Sequence, residues 1–143
     1  MFHDHFNLAH EAIAAGVKKG LKAVAFALQE EAIEKITDLG LVDTGALRLS
    51  VFVEADGVNQ RDMQLATALA VAKKGAMPAM PGKPIDTDVQ ARVGVCVNYG
   101  IYLEMGTVHM PARPFLAPAA YTVNVKAQDL MARFVSAEIR KAA

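Results

Sequence analysis

From residue 8 to residue 39 apolar side chains recur at helical spacing, with Val17, Leu21, Val24, Leu28, Ala32, Ile33, Ile36 and Leu39 on one stripe. This stretch predicts a single long amphipathic helix. Gly16 and Gly20 weaken it in its first third, and Gly40 supplies a C-terminal stop. At 1.5 Å per residue such a helix runs for roughly 45 Å, whereas a compact chain of this size has a radius of gyration near ~14 Å. It therefore outreaches the body it belongs to, and a neighbouring subunit is the simplest cover for an overhanging apolar stripe. Its charges also run against its dipole, with Lys18, Lys19 and Lys22 toward the start and Glu30, Glu31 and Glu34 toward the end. Either packing absorbs that penalty on a solvated face, or the basic part of one helix faces the acidic part of the next copy in a ring.

After Gly40 the period changes from helical to twofold. Leu47, Leu49, Val51 and Val53 alternate with Arg48, Ser50, Phe52 and Glu54, and Asp56-Gly57 marks a turn. A second alternating run places Val89, Ala91, Val93, Val95 and Val97 on one face, and a third strand is expected over residues 100–104. Between the first two strands, residues 62–74 predict a short alanine-rich helix. Residues 75–84, rich in proline and glycine, predict irregular chain in which Met77, Met80 and Lys83 are candidate partner-docking residues. Past Pro118 a stripe of Val123, Ala127, Leu130 and Phe134 predicts a closing helix with Arg140 and Lys141 at its end. The expected fold is α+β: long N-terminal and C-terminal helices on a small, mainly antiparallel sheet, with an irregular insertion at about 60–84. With 143 residues, about half of them hydrophobic, the chain is read as one domain spanning 1–143.

Composition excludes several functions. Lys plus Arg and Asp plus Glu each number 15, so no global positive field drives phosphate binding. The single cysteine, Cys96, cannot form an internal disulfide, and neither a signal peptide nor a membrane-spanning run is evident. A soluble intracellular product is expected. His3, His5 and His10 lack the paired spacing of a metal site, Cys96 lies mid-strand with nothing to orient a base such as His109, and no phosphate cradle occurs. No metal, cofactor or catalytic residue is assigned. One catalytic motif needs separate treatment: Leu41-Val42-Asp43-Thr44-Gly45-Ala46 resembles the active-site loop of retroviral-type aspartic proteases, where aspartates from two subunits share a proton. Such a protease needs a strand before the loop, and here a helix precedes it. The alternative is a structural turn built by Asp43, Thr44 and Gly45.

The most distinctive stretch is Tyr99-Gly100-Ile101-Tyr102-Leu103-Glu104-Met105-Gly106-Thr107, followed by Met110-Pro111-Ala112-Arg113-Pro114-Phe115-Leu116-Ala117-Pro118-Ala119. Its prolines make the second part stiff and extended, so that Arg113 and Phe115 are candidate interface anchors, or the segment is a stiff connector into the last helix with Phe115 and Leu116 in the core, or both. Together with Val42-Asp43-Thr44-Gly45-Ala46-Leu47-Arg48-Leu49-Ser50, and in this order between two long helices, it resembles the neck or tail-completion family of long-tailed bacteriophages. The resemblance implies a structural virion protein of the head-tail junction, made in the host cytoplasm. It would act without turnover as a homo-oligomeric ring, expected to be a hexamer. Its neighbours would be a head-side connector or stopper protein and the tail-tube or tail-terminator protein. It also implies that Asp43, Thr44, Gly45 and Arg48 shape a structural turn, that Glu104 and Gly106 end a strand, and that Glu104, Gly106, Arg113, Pro114 and Phe115 lie at subunit or partner contacts. The insertion lies outside the shared motifs; it would either line the lumen, where Lys73, Lys74 and Lys83 meet passing DNA nonspecifically, or clasp the tail. The alternatives are a tail terminator ring, a retropepsin-like aspartic protease, and a cytoplasmic adaptor that docks through residues 75–84.

Overall fold

The computed structural model describes residues 2–41, 45–73 and 75–143, with the backbone alone for residues 2–6. The elements run α1 (Phe2–Asp38), α2 (Ala46–Leu49), β1 (Val51–Ala55), β2 (Val58–Asn59), α3 (Arg61–Val71), β3 (Arg92–Val95), α4 (Gly100–Met105) and α5 (Leu116–Ala142). Two long helices and a three-stranded antiparallel sheet of order β2-β1-β3 make this an α+β fold, as the periodicities predict.

α1 ends as its sequence requires. Gly40 takes a left-handed φ of 68°, and the Leu41 and Gly40 N–H groups turn back to the Ile36 and Thr37 carbonyls at 3.0 and 3.1 Å. That is the Schellman pattern, in which a glycine beyond the last turn satisfies carbonyls the helix leaves open. α5 lies antiparallel along α1: Lys19 pairs with Glu138, Gly16 abuts Val135, and at the other end Ala32 and Ile36 join Phe115 and Ala119 in the main core. Most of the predicted overhang is thus covered by the chain's own last helix. At the two glycines that weaken α1 as an isolated helix, α5 lies too close to admit a Cβ without a shift. Pro118 sits in the first turn of α5, where a missing N–H forfeits no intrahelical bond.

The sheet is shorter than the alternating pattern predicts. In β1 and β3 the register pairs Val51 with Val95, Phe52 with Gly94 and Val53 with Val93. α1 covers this sheet through Ala25 and Phe26, which pack with Val53, Ala55 and Val93. Leu47 and Leu49 belong to a helical turn instead of a strand. Ser50 closes that turn: its N–H reaches the Ala46 carbonyl at 2.9 Å and its hydroxyl the Leu47 carbonyl at 2.6 Å. A serine bonding its own backbone in this way competes with the ladder a strand would offer. Val89 lies in a turn, where its N–H bonds the Asp86 carbonyl at 3.2 Å.

The third predicted strand is a helix. In α4 the Leu103 and Gly106 N–H groups bond the Tyr99 and Tyr102 carbonyls, i to i−4, at 3.3 and 2.8 Å. A short apolar run fits a buried strand and a helical turn equally well. The first residue of α4, Gly100, packs so closely on β3 that a Cβ there would lie 2.4 Å from Val95 Cγ2. Glu104 and Gly106 therefore end a helix, not a strand.

Candidate functional site

The stretch from Tyr99 to Ala119 folds into one buttressed unit, and Glu104 is its centre. The Phe115 and Leu116 N–H groups donate to its Oε2 at 2.8 and 3.0 Å, and the Ala117 N–H donates to Oε1 at 2.9 Å. One carboxylate thus accepts the open N–H groups at the start of α5, where the helix dipole also favours negative charge. Arg113 makes the second brace: its N–H bonds the Leu103 carbonyl at 2.7 Å, and its guanidinium reaches the Leu39 carbonyl at 2.5 Å. The ends of α1, α4 and the start of α5 are tied together by these two side chains. We predict that Glu104→Ala lowers unfolding free energy by about 2 kcal/mol, the upper range for a lost helix cap, and that Glu104→Gln recovers only part of it, because one amide oxygen replaces two acceptors. Urea unfolding of the three proteins checks this.

The predicted contact residues are therefore placed unequally. Arg113 and Pro114 are exposed, Gly106 holds a left-handed φ of 77° where a Cβ would meet the Ala112 nitrogen at 2.7 Å, and Phe115 is wholly buried. Phe115 is a core residue, so its side chain touches no partner in the folded chain. Beside exposed Thr107, His109 and Arg113, the unit presents an apolar cluster outward: Ile101, Tyr102 and Met105 on the outer side of α4, and Val108, 95% exposed, at the tip of the turn that follows. That turn is fixed by the Thr107 N–H on the Met110 carbonyl at 2.8 Å. A strand over residues 100–104 would put Ile101 and Tyr102 on opposite sides, so the expected pattern does not show this face; only the helix brings Ile101, Tyr102 and Met105 together.

The part of the insertion beyond α3 that is described is irregular but anchored. Residues 77–79 run beside the continuation of β3, with an isolated bridge between Pro78 and Val97. The Ala79 N–H donates to the Cys96 carbonyl at 2.9 Å and the Asn98 N–H to the Met77 carbonyl at 2.8 Å. The Arg61 and Arg92 guanidinium groups hold the Ala79 and Lys83 carbonyls. Met77 and Met80 project from this braced backbone, Met80 at 93% exposure, and Lys83 is exposed beside them.

Asp43 and Thr44, like Lys74, lie outside the described residues. Gly45 precedes α2 with φ 82° and Arg48 is exposed on that turn. A cleft of about 480 Å³ opens here, lined by Leu41, Leu47, Tyr99, Leu103 and Arg113, with no carboxylate, histidine or cysteine among its described lining residues. Among the described residues no group of three or more His, Cys, Asp or Glu side chains could hold a metal ion; the side chains of His3 and His5 are outside that set. Cys96 is buried beside the Ser50 carbonyl, 3.2 Å from its Sγ, and burial pushes the thiol up from its ordinary pKa. We expect Cys96 to resist a thiol-reactive chromogen in native protein at pH 8 and to react at once in denaturant, as read by absorbance.

No protein-family model matches the chain, no curated protein is detectably similar to it, and no solved structure matches it. What the molecule does has to be read from its own surface. No helix among the described residues is long and apolar enough to cross a membrane.

Proposed function

We propose that the protein is a structural subunit of the head-tail junction of a long-tailed phage virion, a neck or tail-completion component whose work is assembly. The observation that carries this reading is the apolar outer face of α4 and its turn, Ile101, Tyr102, Met105 and Val108, held in place by the Glu104 and Arg113 braces. It falls within the stretch whose sequence resembles that family. An exposed apolar cluster on a rigidly braced unit is the mark of a contact surface. The elements on either side of residues 42–44 are α1 and α2, both helical, whereas a retropepsin-type loop follows a strand.

The test is the solution mass across a concentration series, by light scattering, with negative-stain images of the largest species. A closed ring with a central hole is the expected result. A strict monomer at every concentration, also when mixed with connector or tail-tube protein, would overturn the reading. Within the class, particles assembled without the protein separate the two jobs. Tails of normal length that fail to join heads indicate a neck protein, and overlong tubes indicate a terminator.

A further inference from the structure

α5 carries a second stripe that the fold leaves largely uncovered. Tyr121, Val125, Gln128, Ala132, Val135 and Ile139 recur at alternating spacings of four and three, the heptad rhythm by which one helix seams against another; Val135 lies at its margin against Gly16 of α1, and the other five are exposed. Tyr121 is 78% and Val125 81% exposed, and Ile139 is also among the exposed large apolar residues. Along one margin of this stripe stand Lys126, Arg133 and Arg140, all exposed. Glu138 does not offset them, because its carboxylate is taken by Lys19 and Lys141, whose bonds hold it below the usual carboxylate range. Asp129 is the one acidic residue on the margin among the described residues. The exposed face of α5 thus carries large apolar residues toward its two ends, Gln128 and Ala132 between them, and a mainly basic border.

Its complement lies on the same molecule, out of reach. Glu30, Glu34 and Asp38 form an exposed i, i+4, i+8 row at the end of α1, and none of them has a side-chain hydrogen bond or ion pair among the described residues. Exposed Leu39 follows the row, and Arg113 links that end to the apolar face of α4. Because α1 and α5 are antiparallel, with Gly16 beside Val135 and Ile36 clustered with Phe115, the acidic row and Arg133 with Arg140 sit toward opposite ends. They cannot neutralise each other within one chain. The basic end of α1 is not the free partner either, since Lys18 pairs with Asp88 at 3.1 Å and Lys19 with Glu138. The spacings fit: at 1.5 Å per residue, Arg133 to Arg140 spans about 10 Å and Glu30 to Asp38 about 12 Å.

We propose that the outer face of α5 is covered by the acidic end of α1, with the adjoining α4 face, of a second copy of this chain. Two different surfaces meeting in this way make a heterologous contact, which closes into a ring or runs on as a filament. The proposal rests on the assembly reading above and names the contact that carries it.

Charge exchange tests it. The variants are Arg133→Glu with Arg140→Glu, Glu30→Lys with Glu34→Lys, and the combination of all four substitutions, each checked for native circular dichroism and measured by sedimentation velocity over a concentration series. All the changed side chains are exposed or at the border of the fold, and lysines near the end of α1 suit its dipole. Each pair alone is expected to raise the concentration needed for assembly at least tenfold. The fourfold variant, and an equimolar mixture of the two pairs, are expected to restore it, because each then offers opposite charges across every contact. If wild-type protein and all variants assemble alike, this contact is wrong while the assembly reading stands. If the pairs fail and neither the mixture nor the fourfold variant recovers, charge complementarity is likewise overturned. A wild-type chain that stays monomeric throughout removes both.

Discussion

Phe115→Ala is expected to cost about 3–5 kcal/mol of unfolding free energy, the largest single effect open to a core truncation here. The ring is fully buried and is first among the largest fully buried side chains. It sits where the chain enters α5, packed in the cluster that joins Ala32 and Ile36 of α1, Leu47 of α2, Val97 and Ala119. Its removal leaves a cavity between elements that are already tied by backbone bonds: the residue's own N–H is one of those held by Glu104, at 2.8 Å. The surroundings therefore collapse poorly, and the cost falls in the upper part of the range. For a domain of this size that is a fall in Tm of about 10 °C or more. Urea unfolding should show a lower midpoint at unchanged slope, which separates a loss of stability from a change in the unfolded state. A midpoint within error of wild type would mean that Phe115 is not in the core. The neighbouring Glu104→Ala change shares the same helix start, so the double variant should depart from additivity by 0.5 kcal/mol or more, in keeping with residues that act through one backbone.

Phe115 also shows where sequence ceases to be legible. Its place among prolines, next to an arginine, is what a contact residue and a core residue both look like, and only the path of the chain through Glu104 separates them. Long periodic segments were readable because many residues vote for one period: α1, its Gly40 stop, α3 and α5 all fall where the spacing puts them. Besides the shortening of the second strand at Val89, two segments take the wrong type, residues 46–49 and α4, and they are four and six residues long. At that length a twofold and a 3.6-fold pattern fit the same letters. The braces were invisible for a different reason. Glu104 reaches backbone groups 11 to 13 residues away, and Arg113 reaches the end of a helix 74 residues earlier. No local pattern encodes such bonds. The charges of α1 were legible as a conflict with its dipole, but their resolution was not: Asp88 and Glu138 answer Lys18 and Lys19 from distant parts of the chain, while Glu30, Glu34 and Asp38 stay at the surface.

The glycines of α1 give the second large effect, and a contrast that tests the helix pairing directly. In an isolated helix either glycine replaced by alanine gains about 1 kcal/mol. At Gly16 a Cβ would lie 2.5 Å from the Cα of Val135 and 3.1 Å from the Phe134 carbonyl oxygen, so the backbone of α5 itself must retreat. At Gly20 the nearest atom is the Met131 sulfur at 2.6 Å, the outer part of a flexible side chain. Gly16→Leu should therefore cost about 3 kcal/mol through overpacking that no rotamer relieves. Gly16→Ala should lose stability as well, despite its better helix propensity. Gly20→Ala should be neutral or gain up to about 1 kcal/mol, because the thioether can swing aside while the helix keeps the propensity gain. The two alanine variants are chemically identical changes one turn apart in one helix, so propensity alone predicts equal shifts in thermal midpoint. Shifts of opposite sign would place α5 directly on Gly16 at backbone distance; equal gains at both positions would show that α1 and α5 do not pack as described, and with that the outer stripe of α5 would lose its meaning as a free face.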